Sequence, residues 1–142
     1  MEKNQEILME GNRLHFGSSF DNINLVERFV VEICERHKIQ EDNFGNILIA
    51  VTEAVNNAIQ HGNNLDPNKN IDLKFDAESD KICFTVSDEG HGFNFDCLPD
   101  PTEPENIEKP HGRGVFLMKN LADAVDFNDN GRQVKLYFNL AS

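Results

Sequence analysis

Apolar residues recur along this chain with two periods, and the switches between them mark out helices and strands. Asn12–Phe20 (NRLHFGSSF) alternates and predicts a strand. From Ile23 the apolar positions Val26, Phe29, Val30, Ile33 and Cys34 follow at three- and four-residue steps. That spacing predicts a helix to about Lys38, which Asp21 or Asn22 can cap. A second helix is expected from about Glu41 to His61. Its stripe is Phe44, Ile47, Leu48, Val51, Val55, Ala58 and Ile59, and Gly62 suits a left-handed C-terminal cap. NNLDPNKN (63–70) is turn chemistry. IDLKFD (71–76) and KICFTV (81–86) read as strands joined by a short polar turn.

Periodicity then fails. Residues 94–111 hold four of the five prolines among dense acidic residues, which opposes both helix and central strand. A loop that long inside a compact domain is usually functional or disordered. A third helix is expected over roughly Gly114–Asp123, then strands at Ala124–Asn128 and Gln133–Leu140 turned at Asp129-Asn130-Gly131. The order β-α-α-β-β-loop-α-β-β, with short turns between successive strands, predicts an α+β two-layer sandwich whose sheet is mixed but mostly antiparallel. Residues 1–11 read as a leader, mobile or loosely helical over 1–10, and 12–142 as one domain.

Composition narrows the function. The chain has 142 residues, with 13 Lys+Arg against 25 Asp+Glu, for a net charge of −12. Direct nucleic-acid binding is not expected, because duplex affinity rests on releasing counterions from phosphates. Any phosphate ligand needs local donors strong enough to outweigh a repulsive field. No apolar run approaches the ~20 residues of a membrane span, and no secretory signal is visible. The three cysteines (Cys34, Cys83, Cys97) have no metal-site spacing. They read as buried or incidental thiols of a reduced, cytoplasmic protein.

Three stretches carry candidate chemistry. Glu53 and Asn57 lie four apart on one face of the second helix, away from its stripe and beside the small Ala50 and Ala54. Glu53 can act as a general base, and Asn57 offers a neutral oxygen suited to Mg²⁺. Taken alone, such a pair more often faces solvent. His61 reads as a partner of the helix's C-terminal dipole. Asp88-Glu89-Gly90-His91-Gly92-Phe93 follows an apolar strand. Its glycines let backbone approach a ligand, and Asp88 can accept from an amino group such as adenine N6; a plain Gly-rich turn remains open. His111-Gly112-Arg113-Gly114 feeds a helix, where free N–H groups and the positive dipole end bind anions. Lys109, Arg113 and Lys119 add positive charge there, although a simple hinge has the same composition.

Together the stretches are far more specific. VTEAVNNAIQHG (51–62), VSDEGHGF (86–93) and HGRGVFLMKNLAD (111–123) resemble the three boxes of the Bergerat-type ATP-binding fold of histidine kinases, gyrase B and MutL. Within it they are most similar to the anti-sigma factor serine/threonine-protein kinases of the SpoIIAB and RsbW type, over about residues 12–140. The resemblance implies ATP and Mg²⁺ as cofactors, Glu53 as catalytic base and Asn57 as metal ligand. It implies nucleotide contacts from Asp88, Gly90, Gly92, Phe93, Lys109, His111, Gly112, Arg113, Gly114 and Val115, and an ATP lid over 94–111. It also implies a homodimer whose partners are a sigma factor and an anti-sigma-factor antagonist, the latter phosphorylated on serine. Two departures stand out. Arg132 and Gln133 follow Gly131 where the family often has Thr, and Pro110 stands near a place where some members carry Arg. They leave open a non-catalytic nucleotide-binding module that sequesters a regulator. A histidine kinase is disfavoured, since no hairpin bearing a phosphoacceptor His is expected ahead of the domain.

Overall fold

The computed structural model describes residues 8–90, 110–128 and 132–140, with the backbone alone at 8–10 and 110–114. Six strands form one sheet: β1 (Leu8–Glu10), β2 (Arg13–Gly17), β3 (Asn70–Ala77), β4 (Lys81–Ser87), β5 (Ala124–Asn128) and β6 (Gln133–Asn139). Their spatial order is β1-β2-β3-β4-β6-β5, and every ladder is antiparallel, so the sheet expected to be mixed contains no parallel pair among the described residues. Strand β1 corrects the reading of residues 1–10 as leader: Leu8–Glu10 pair with Arg13–His15 across a tight turn. Helices α1 (Ile23–Arg36), α2 (Glu41–Asn57) and α3 (Pro110–Leu121) make the second layer. None of the described helices is long and apolar enough to cross a membrane.

Register explains why one face is dry. Leu14, Leu73, Val86, Val134 and Phe127 are successive cross-strand partners, as are Phe75, Phe84, Leu136 and Val125. Side chains alternate along a strand, so these rows share one face and meet Val26, Phe29, Ile33, Ile47, Val51 and Val55 from the helices. Phe84 packs at 5.2 Å from Phe75 and 6.4 Å from Phe138, ring centre to ring centre. The opposite face carries polar partners, including the exposed Arg13, whose Nε donates to Asp72 at 2.7 Å. Cys34 and Cys83 are buried, and burial pushes the Cys34 thiol up to about 11. Cys97 lies outside the described residues.

Helix ends depart from expectation for local reasons. Ser19, rather than Asp21 or Asn22, provides the side-chain cap: its hydroxyl accepts from Asp21 N–H at 3.2 Å and starts a short 3₁₀ turn, Phe20–Asn22. Asn22 is spent elsewhere, donating to the Gly17 carbonyl at 2.9 Å. Helix α1 stops at Arg36 because Lys38 adopts φ 55°. Ile39 N–H then reaches back to Cys34 O at 2.9 Å, which closes the helix with an αL residue. Helix α3 begins at Pro110, four residues before the expected Gly114. Proline suits a first helical position, where its missing N–H costs nothing.

Gly45 lies on the exposed side of α2, and a Cβ there would meet nothing within 4 Å. Gly45→Ala is therefore expected to stabilise the fold by about 0.5–1 kcal/mol through helix propensity. Urea denaturation checks this, and a lower midpoint would contradict it.

Candidate nucleotide site

Strand parity aims the first functional side chain. Val86 is in the core, so Asp88, two residues on, returns to the helix-covered face. Its N–H donates to Arg132 O at 2.9 Å, extending the β4–β6 pairing past the end of β4. Its Oδ1 accepts from Gly90 N–H at 2.8 Å and folds the chain back on itself.

Helix α2 brings up the opposite wall. Glu53 and Asn57 are both half-buried on one face of it, a turn apart. The Asn57 Nδ2 atom is buried and has no hydrogen-bond partner. An unmet buried donor costs about 1–3 kcal/mol. The small Ala50 and Ala54 are buried, and α3 is what packs most closely against α2.

Beyond Asn57 the helix widens into a π turn, Ala58–Gly62, closed by Asn63 N–H on Ala58 O at 2.8 Å. Such turns re-aim the residues that follow them. Gly62 is not the left-handed cap that its position suggested. The positive φ values fall later, at Asn64 (53°) and Leu65 (61°). Gly62 is needed for room instead. A Cβ there would run into the Asp88 carboxylate, with even the farther oxygen at 2.9 Å, and a Cβ on Gly90 would collide with the Gly62 carbonyl. His61 sits half-buried in the same turn, and burial pushes its imidazole below its usual 6.5.

Among the described residues, one cleft joins these parts. Ala54, Asn57 and Ala58 line it from α2 and the π turn, Met118 from α3, and Val86, Asp88, Phe127, Arg132 and Val134 from the sheet. It therefore has apolar walls, a carboxylate at one end and an amide on one side. The structure thus unites Asn57 and Asp88, with Gly90 behind Asp88 and Glu53 a turn before Asn57. His111, Gly112, Arg113 and Gly114 lie in the first turns of α3, and the N–H groups ahead of Gly114 are those a helix start leaves without intrahelical partners. Val115 is buried in the core at 4% exposure and is not among the residues lining the cleft. Lys119 is not at the helix N-terminus. It lies in the last turn of α3 with its ammonium 5.8 Å from the Phe127 ring centre. Gly92, Phe93, Lys109 and lid positions 94–109 lie outside the described residues. Met118, Phe127 and Val134 escaped sequence reasoning because they read simply as core. For Phe127 and Val134, inward parity on β5 and β6, projected to the same sheet end as Asp88, is the signal that finds them; Met118 comes from the helix α3 packed over that end.

Comparison with known proteins agrees with this geometry. The histidine kinase-like ATPase domain family matches residues 16–138, and the chain belongs to that family. Within it, the chain is similar to two proteins named serine-protein kinase RsbW. The one from Staphylococcus aureus (strain JH9) is 30% identical over 115 residues, covering 76% of this chain and 72% of the relative. The one from Bacillus subtilis (strain 168) is 28% identical over 109 residues, covering 72% and 68%. This is an RsbW-type member of the family.

Two outcomes follow. Gly62→Ala is expected to cost about 1–3 kcal/mol by overpacking against Asp88, measured by denaturant unfolding; wild-type stability would contradict the packing. For His61, the folded state favours the neutral ring, so the unfolded chain binds more protons between the lowered folded value and 6.5. Its contribution is complete above that value and declines as pH falls through the window. The loss of melting temperature between about pH 7.5 and about pH 5.5 should accordingly be smaller in His61→Gln than in wild type. Equal losses would count against it.

Proposed function

We propose that this chain is an ATP-binding anti-sigma factor regulator with serine/threonine protein kinase activity, passing the γ-phosphoryl group to a serine of an anti-sigma-factor antagonist. One observation supports it above the others. The buried, unpartnered amide of Asn57 and the carboxylate of Asp88 line a single apolar-walled cleft.

The residues fit adenine nucleotide and metal. Asp88 would accept from an exocyclic amino group, and Val86, Val134, Met118 and Phe127 would offer apolar surface to a flat ring. Asn57 presents one carbonyl oxygen and one NH₂ group, and rotating the amide exchanges them; the oxygen would hold Mg²⁺ and the nitrogen would donate to a phosphate or water oxygen. Bound Mg·ATP supplies the phosphoryl group and the charge neutralisation that its transfer requires. Glu53 accepts the proton of the attacking hydroxyl. The first-turn N–H groups of α3 hold phosphate oxygens by charge-assisted hydrogen bonds. They do so against a net charge of −12 because such donors act at contact, whereas the opposing field is screened within about 8–10 Å. The resemblance carries an ATP lid over 94–111, of which 110 and 111 belong to α3, and a sigma factor and a second copy of the chain as further partners.

The test is incubation with labelled ATP and an antagonist protein. Glu53→Ala should bind ATP within about threefold of wild type yet transfer phosphate about 10²–10⁴-fold more slowly. Asn57→Ala should lose the Mg²⁺-dependent part of ATP affinity. Undiminished transfer by Glu53→Ala would remove Glu53 as the base. ATP binding without transfer in wild type would favour the sequestering module.

A further inference from the structure

Asn63 is fully buried, and every polar atom of its side chain is used. Its Nδ2 donates to Ser18 Oγ and to the Asn70 carbonyl, the latter at 3.1 Å. Its Oδ1 accepts from Glu89 N–H at 2.8 Å. These partners come from the segment after β2, the start of β3 and the segment after β4. They also fix the amide's orientation, since a carbonyl needs the nitrogen and an N–H needs the oxygen. The ring of contacts closes on itself: Ser18 Oγ donates to Lys69 O at 2.8 Å, and Glu89 Oε1 accepts from Asn70 N–H at 3.1 Å.

The consequence falls on the segment that aims Asp88. Three consecutive N–H groups there have three separate acceptors. Asp88 uses Arg132 O, Glu89 uses Asn63 Oδ1 and Gly90 uses Asp88 Oδ1. The first is an extension of the sheet and the third is internal to the segment. Only the middle one ties it to the helical layer, and it does so one residue beyond Gly62, whose backbone touches Gly90.

We propose that Asn63 is a positioning residue for base recognition: it locks Asp88–Gly90 against the π turn, so that the Asp88 carboxylate meets the 6-amino group of a purine rather than solvent. This rests on the nucleotide reading above. Replacing the amide leaves Glu89 N–H without its acceptor and lets the segment lift away, which affects discrimination between bases more than attachment of phosphates.

The experiment compares wild type, Asn63→Ala and Val30→Ala, the last a control destabilised in the core of α1 and remote from the segment. Binding of ATP and of inosine triphosphate, which carries oxygen in place of the 6-amino group, is measured by calorimetry. Exchange of the Glu89 amide is followed by NMR. Asn63→Ala should reduce the preference for ATP over inosine triphosphate by about tenfold and speed Glu89 exchange by at least about tenfold. Val30→Ala should lower the melting temperature while keeping the wild-type preference. An unchanged preference or unchanged Glu89 exchange in Asn63→Ala overturns the proposal, as does a preference lost equally in Val30→Ala. If wild type binds no ATP, the functional reading falls. The Glu89 exchange comparison then still decides whether Asn63 holds the segment.

Discussion

The cleft exists because two stretches of backbone touch where side chains are missing. Gly62 ends the π turn after α2, and Gly90 lies two residues past the carboxylate that closes the cleft. Neither tolerates a Cβ, since one would strike Asp88 and the other the Gly62 carbonyl. Close-packed interiors transmit such a constraint rather than absorb it. The distance between α2 and the end of β4 is therefore set by backbone contact, which is stiffer than any contact between flexible side chains. Asp88 and Asn57 inherit their separation from it.

The remaining architecture supplies rigidity and charge in different places. Phe75, Phe84 and Phe138 sit in the middle of the sheet, well inside its dry face, and hold the strands that carry the site. Positive character is scarce in so acidic a chain, and the start of α3 adds to it the partial positive charge of a helix N-terminus. Lys119 is drawn to the opposite end of that helix, where it favours the C-terminal dipole and lies over the Phe127 ring. Phe127 lines the cleft, so this cation steadies a wall instead of meeting an anion at the helix start.

How much of this was legible in the sequence depended on the range of the interaction. The 3.6-residue stripe placed α1 and α2, and alternation placed β3 to β6, because both patterns are written within a dozen residues. The pairing of Glu53 with Asn57 on one helix face followed from the same periods, whereas Asp88 was marked only as an acceptor just past an apolar strand. Strand β1 was missed because three residues are too few to alternate convincingly. The π turn was missed because a shift of one residue in hydrogen bonding leaves the apolar pattern nearly intact. Gly62 was noticed for the wrong reason: a helix-terminal glycine reads as a left-handed cap, and nothing local shows that it makes room for Asp88. Asn63 read as turn chemistry because its partners Ser18 and Glu89 lie 45 and 26 residues away.

Parity and helix position show where the two departures from the family pattern lie. Val134 faces the core, so Gln133 faces outward, where its amide donates to Ser87 Oγ at 3.3 Å. A change at that position is not seen by the cleft. Arg132 is in phase with Val134 and lines the cleft, while its carbonyl holds Asp88 N–H as any residue's carbonyl would. The register of the Asp88 segment is thus indifferent to the side chain at 132, and what differs there is positive charge beside Asp88 in the cleft lining. Pro110 occupies a first helical turn in which the free N–H donors belong to the residues after it. Its presence removes a side-chain cation without removing a backbone donor that the helix would have used. Both substitutions shift where charge sits around the cleft and leave intact the backbone geometry on which the site depends.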